Sequence, residues 1–114
     1  MSLIDMQADG DRDDYIRQPS RAGKKFDIEK PMYNLIPVKA ESEMVDVLTF
    51  GAKKYGPKNW RAVDNAEDRY IAAAMRHIAA YRAGDVKDNE SGKHHLAHAM
   101  CCLSFIIEFD LSDG

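Results

Sequence analysis

The stretch Gly84-Asp85-Val86-Lys87-Asp88-Asn89-Glu90-Ser91-Gly92-Lys93-His94-His95-Leu96-Ala97-His98-Ala99 decides the fold of this 114-residue chain. It begins on a glycine that ends one helical pattern, and it runs into a second pattern after a short polar turn. So short a turn makes the two flanking helices antiparallel neighbours. The end of the earlier helix then lies beside the start of the later one. His77, two turns before Gly84, is thereby brought toward His95 and His98.

Working outward, the earlier helix is expected from about Asp64 to Gly84. Asp64 and Glu67 resemble a capping box at its start. Its apolar stripe is Ile71, Ala74, Met75 and Ile78, and Tyr70, His77 and Tyr81 form a neighbouring edge. The later helix, about Gly92 to Phe109, is apolar almost all round, as befits a central helix or one covered by a second subunit. A further helix is expected upstream, from Val38 to Tyr55. Pro37 suits its first turn, and Met44, Val47, Leu48, Gly51, Ala52 and Tyr55 make one buried stripe. Gly56 followed by Pro57 stops it. Phe26 to Pro37 reads as an extended lead-in. No strand and no internal repeat is expected. The fold class is all-α: a small helical bundle, completed by oligomerisation into a dimer or tetramer. The domain plan is a mobile arm over 1–25, one helical catalytic domain over 26–110, and a short tail over 111–114.

Composition narrows the function. Apolar residues make up 45% of the chain, enough for one core, and the formal charge is −3. A duplex-binding module shows a basic face and a high pI, so nucleic acid is disfavoured as the main partner. Cys101 and Cys102 are adjacent, point in different directions on a helix, and read as reduced thiols, consistent with a cytoplasmic protein. No apolar run is long enough to span a bilayer, and the acidic N-terminus is wrong for a targeting peptide. Asp9, Asp11 and Asp13 have the beat of a calcium loop, but Asp14 stands where that loop needs glycine and Ser20 where it needs glutamate.

The chemistry gathers around the opening stretch. His95 and His98 lie three apart on one side of their helix. Asp85, Asp88 and Glu90 place three carboxylates in the turn. Two readings stand: a mixed imidazole–carboxylate metal site with His77, or helix caps and core histidines. A mixed donor set suits Mn²⁺, Fe²⁺ or Zn²⁺ better than Mg²⁺. Glu43 and Asp46, one turn apart upstream, are either extra ligands or a solvated face. Lys53, Lys54, Tyr55, Asn59 and Trp60 form a basic, aromatic stretch that can neutralise phosphate and stack on a base; Trp60 serves equally as core filling. There is no P-loop, no nucleophile elbow, and no glutamate in the zinc-protease position between His94 and His98.

Read in order, Lys25-Phe26-Asp27, Lys30-Pro31, Leu35-Ile36-Pro37, Thr49 to Gly56, Asn59-Trp60, Arg76-His77, Gly84-Asp85, Asp88-x-Glu90-Ser91-Gly92 and His95-Leu96-Ala97-His98-Ala99 resemble the phage-associated dATP/dGTP diphosphohydrolases. That family is related to the MazG-like all-α nucleotide pyrophosphohydrolases. The resemblance implies hydrolysis of a purine deoxynucleoside triphosphate, dGTP above all, to the monophosphate and pyrophosphate. It also implies a divalent metal, Mg²⁺ or Mn²⁺, with Zn²⁺ or Fe²⁺ open, and an oligomeric bundle. MazG-like enzymes hold Mg²⁺ on Glu-x-x-Glu and Glu-x-x-Asp. Here His95-x-x-His98 stands in the second motif's place, and His77 falls where the first helix would offer a carboxylate. The resulting expectation is a metal set of His77, Glu90, His95 and His98 with Glu43 and Asp46 in reserve. Asp85, Asp88 and Glu90 are the catalytic carboxylates, and Lys30, Lys53, Lys54 and Arg76 grip phosphates.

Overall fold

The computed structural model of the protein describes residues 28–112. The arm expected over 1–25 lies outside the described residues. The chain divides at Tyr33 and Asn34 into two units, and the three helices belong to the second.

Helix α1 spans Val38–Tyr55, as the sequence predicts. Its first turn closes when the Glu41 N–H donates to the carbonyl of Pro37 at 3.0 Å. Its last turn closes at Gly56, whose N–H donates to the Ala52 carbonyl at 2.8 Å while φ stands at +99°. A Cβ would strain that conformation, so glycine belongs there. A 3-10 turn, Asn59–Ala62, then leads to α2, Ala66–Arg82. The expected Asp64/Glu67 capping box does not form. Asn65 precedes the helix in a left-handed conformation (φ +53°) and offers no side-chain cap. Asparagine tolerates that region, and the turn it sets leaves Asp64 outside the capping position.

The end of α2 is a Schellman motif. The Gly84 N–H donates to the Tyr81 carbonyl and the Asp85 N–H to the Ala80 carbonyl, both at 3.0 Å, with Gly84 at φ +100°. This ties off two carbonyls that the helix would otherwise leave open, and it turns the chain back on itself. The turn that follows is rigid rather than loose. Asp88 N–H donates to the Lys93 carbonyl and His95 N–H to the Val86 carbonyl, each at 2.8 Å, around an isolated Lys87–His94 bridge. Helix α3 begins three residues later than expected and ends three later, His95–Ser112. His94 is its cap: the imidazole Nδ1 accepts the Leu96 N–H at 3.0 Å.

Helix α3 is the central element, with α1 and α2 packed on it rather than on each other. Cys101 and Cys102, both free and buried, show why this works. As neighbours on a helix they point about 100° apart. Cys101 joins Val47 and Ala97 under α1, while Cys102 joins Ala74 and Ala99 under α2. The seams are built of small residues, so the helices approach closely. The stripe expected on α2 is corrected here. Only Ala74 is buried; Ile71, Met75 and Ile78 are exposed, and Tyr70 and Ala73 pack at the seam beside Ala74. Met100, Leu103 and Ile107 of α3 are likewise exposed. No helix among the described residues is long and apolar enough to cross a membrane.

The seam sets a test of packing. Ala74 is 2% exposed, and a larger side chain must push α2 off α3. Ala74→Leu is expected to lower stability by about 1–3 kcal/mol, read as a reduced urea midpoint. An unchanged midpoint would show a looser seam than described.

Candidate functional site

The Schellman turn and the hydrogen-bonded loop place the last turns of α2 beside the first turns of α3, and three imidazoles meet there. His77 and His95 face each other with their Nδ1 atoms 2.9 Å apart. His77 also stacks on His98, with ring centroids 4.6 Å apart and planes 13° from parallel. His95 is buried, and its Nε2 lies 3.2 Å from Asp85 Oδ2. A carboxylate only accepts, so His95 donates from Nε2 and presents a lone pair at Nδ1. His77 then donates from its own Nδ1. The tautomers follow from this network.

The carboxylates of the turn take different parts. Asp88 Oδ2 accepts the Ser91 N–H at 2.8 Å and lies 3.7 Å from His98 Nε2. Ser91 Oγ accepts the Lys93 N–H at 3.1 Å and is 2.6 Å from His98 Nε2. Ser91 is thus a site residue that the sequence reading passed over. Burial and the neighbouring charges of His98 and His95 push the His77 imidazole below its ordinary value, and burial does the same to His98 despite the opposing charge of Asp88. Burial alone would raise the Asp88 carboxyl. The Ser91 hydrogen bonds and the charges of His98 and His77 outweigh it, so Asp88 is held below the usual carboxylate range. The result is neutral imidazoles beside an ionised carboxylate, the protonation state a metal needs.

One ligand atom from each of His77, Asp88 and His95 lies within 4.8 Å of the others. With an ion in place the His77 proton would move to Nε2, and the two Nδ1 atoms, 2.9 Å apart, are spaced as adjacent donors on an ion with bonds of about 2.1 Å. The donor set fits a divalent cation, Mn²⁺, Fe²⁺ or Zn²⁺ by chemical preference. Asp85 then orients His95 from behind, as carboxylates do behind ligating histidines.

The other expected residues are placed as follows. Glu43 Oε2 accepts the His94 N–H at 2.9 Å, and Asp46 pairs with Lys93 at 2.9 Å. Both acids therefore fasten α1 to the start of α3, and neither belongs to the three-residue group. Glu90 pairs with Lys54 at the surface. Lys54, Tyr55, Asn59 and Trp60 all line a cleft of about 520 Å³ between α1 and α2, and His77, Asp88 and His98 open into it. Trp60 packs as core filling, the other reading of it. Phe105 lies parallel to it at 4.6 Å, and the Arg61 guanidinium sits over the ring at 4.5 Å. Tyr55 is largely exposed, with the Lys54 ammonium over its ring at 5.0 Å. Lys53 is exposed and does not line the cleft. Arg76 lines a second depression with Tyr55 and Asn59. Lys30 is exposed in the first unit.

Residues 20–114 match the family model described as dATP/dGTP diphosphohydrolase, N-terminal, a span that holds the whole histidine cluster and both clefts. The chain belongs to that family. A relative in it, the dATP/dGTP diphosphohydrolase of Salmonella phage PMBT28, is 37% identical over 84 residues, which is 74% of this chain. The chain spans 28% of that relative's length. No solved structure matches.

The lowered imidazoles fix a pH dependence. A histidine held neutral in the fold stabilises it fully above the ordinary value of 6.5, and that contribution is lost as the pH falls below it. In EDTA, the urea midpoint is expected to fall between about pH 7.5 and pH 5.5, and to fall less in His98→Gln. A midpoint flat across that window in the wild type would contradict the burial of these rings.

Proposed function

We propose that the chain carries out metal-dependent hydrolysis of a purine deoxynucleoside triphosphate, dGTP or dATP, to the monophosphate and pyrophosphate. The observation that carries this reading is the His77–Asp88–His95 group at the side of a cleft large enough for a nucleoside. Family membership supports the reaction class.

His77, Asp88 and His95 would hold the divalent cation, with His98 and Glu90 beside them. A bound ion supplies a water of lowered pKa and offsets charge on the phosphates. The chain's own groups do the rest. Asp85 keeps His95 in the tautomer whose Nδ1 is free. The Ser91 hydrogen bonds keep Asp88 ionised, so it can accept a hydrogen bond from water. Glu90, exposed and paired only with Lys54 among the described residues, is placed to receive a proton once phosphate draws Lys54 away. Tyr55 offers its ring to the base, and Asn59 offers a donor and an acceptor.

Incubation with dGTP and Mn²⁺ is expected to release dGMP and pyrophosphate in equal amounts. Release of orthophosphate or tripolyphosphate would mean a different leaving group. Asp85→Asn is expected to weaken metal affinity by about 10–100-fold, and His95→Ala to remove both bound metal and turnover. A second reading has its own support: every imidazole of the cluster has a protein partner, as in a non-catalytic helical nucleotide- or protein-binding module. A wild type that binds dGTP but neither turns it over nor holds metal would establish that one, whereas unchanged metal content and turnover in His95→Ala and Glu90→Ala would reject the site assignment.

We also propose a homo-oligomer, a dimer or tetramer working in the cytoplasm. The exposed apolar residues Ile71, Met75 and Ile78 on α2, with Met100, Leu103 and Ile107 on α3, support it. Sedimentation should give a dimer or tetramer for the wild type and a monomer for Ile107→Glu; a monomeric wild type rejects it.

A further inference from the structure

The second depression, about 440 Å³, differs in character from the first. Its wall on α2 is Arg69, Tyr70, Ala72, Ala73 and Arg76, with the two arginines seven residues apart. No carboxylate lines it. Neither arginine has an acid within 4.0 Å among the described residues. The first cleft, by contrast, sets Asp88 and Glu90 against Lys54 and Lys58.

Two arginines in such a place work against the helix. Seven residues apart, about 10 Å along the axis, they add positive charge to one face without an acid beside either. Arg69, at the end of the first turn of α2, also sits where the helix dipole disfavours a cation. Neither cost brings a packing return, because both side chains are exposed. An anion in the depression would reverse both terms, since guanidinium groups bind phosphate oxygens in pairs. Tyr55 and Asn59 add neutral donors.

The two depressions are continuous. Tyr55, Asn59, Tyr70 and Ala73 line both. Arg76 is next to His77 in sequence, and His77 lines the first. One ligand can therefore span both, the phosphate to be attacked beside the carboxylates of the first cleft and its outer phosphates on the arginine side.

We propose that the Arg69–Arg76 depression is a polyphosphate site, filled by the phosphate chain of the nucleotide or by the free pyrophosphate it yields. The occupant rests on the proposed function; the chemistry of the site does not.

Tripolyphosphate alone, with metal removed by EDTA, is the probe. The 114-residue chain is expected to bind it in a calorimeter, more weakly as salt is added. Arg69→Gln and Arg76→Gln should each weaken binding by about tenfold or more, and Arg69→Lys by less. Equal binding by the wild type and both glutamine variants, with unchanged helicity by circular dichroism, overturns the proposal; so does no binding by the wild type. Displacement of tripolyphosphate by a non-hydrolysable dGTP analogue assigns the site to the nucleotide's own tail. Displacement by pyrophosphate and not by the analogue assigns it to the free product. A DNA duplex that displaces the probe more strongly than either overturns the proposal in favour of a nucleic-acid backbone. The two readings fail separately. Hydrolysis of dGTP with arginine-independent tripolyphosphate binding removes the site and keeps the function. Arginine-dependent binding without hydrolysis does the opposite.

Discussion

The close approach of α2 to α3 is the constraint from which the site follows. Ala74 and Ala99 present only a methyl group at the seam, with Cys102 beside them. A seam of leucines would hold the helices farther apart, since interaxial distance follows side-chain size. The 2.9 Å contact between His77 and His95 would then open. The Schellman turn at Gly84 sets where α2 stops, and the hydrogen-bonded loop sets where α3 starts. Together these fix the register in which the imidazoles meet. The chemistry thus rests on residues with almost no chemistry of their own.

Because α3 is central, it must bury opposite sides against different partners, and Cys101 and Cys102 do this as sequence neighbours. Burial pushes the Cys101 thiol up to about 12, so it stays protonated and acts as a small apolar side chain. The central role of α3 also explains the cleft. Two helices laid on a third without packing on each other leave a trough between them, floored in part by His98 and Cys102. The trough is a consequence of the layout.

Much of this was legible in the sequence because the signals were strong and local. Gly56-Pro57 and Gly84 are unambiguous stops, and the bounds of α1 and the antiparallel α2–α3 pair follow from them. The convergence of His77 with His95, Asp85 and Asp88 followed from the length of the turn alone. Side-chain partners were harder to read. Glu43 and Asp46 carry the same carboxylates whether they bind a cation, face water or clamp Lys93 and His94, and spacing does not separate these fates. His94 has zinc-protease spacing to His98, yet its ring caps the Leu96 N–H. Which apolar stripe of α2 faces inward was likewise undetermined. Ile71, Met75 and Ile78 have the right period, yet alanines make the closer seam.

The clamp between Glu43 and His94 joins residues 51 apart in sequence, whereas the α2–α3 hairpin is built from near neighbours. Local contacts form early in folding, and distant ones wait for loop closure. The hairpin can therefore gather its histidines before α1 arrives, but α1 supplies the other wall of the trough and the bond that steadies the cap of α3. A cluster of imidazoles comes first in the life of the chain. A place for anything to bind beside them comes second.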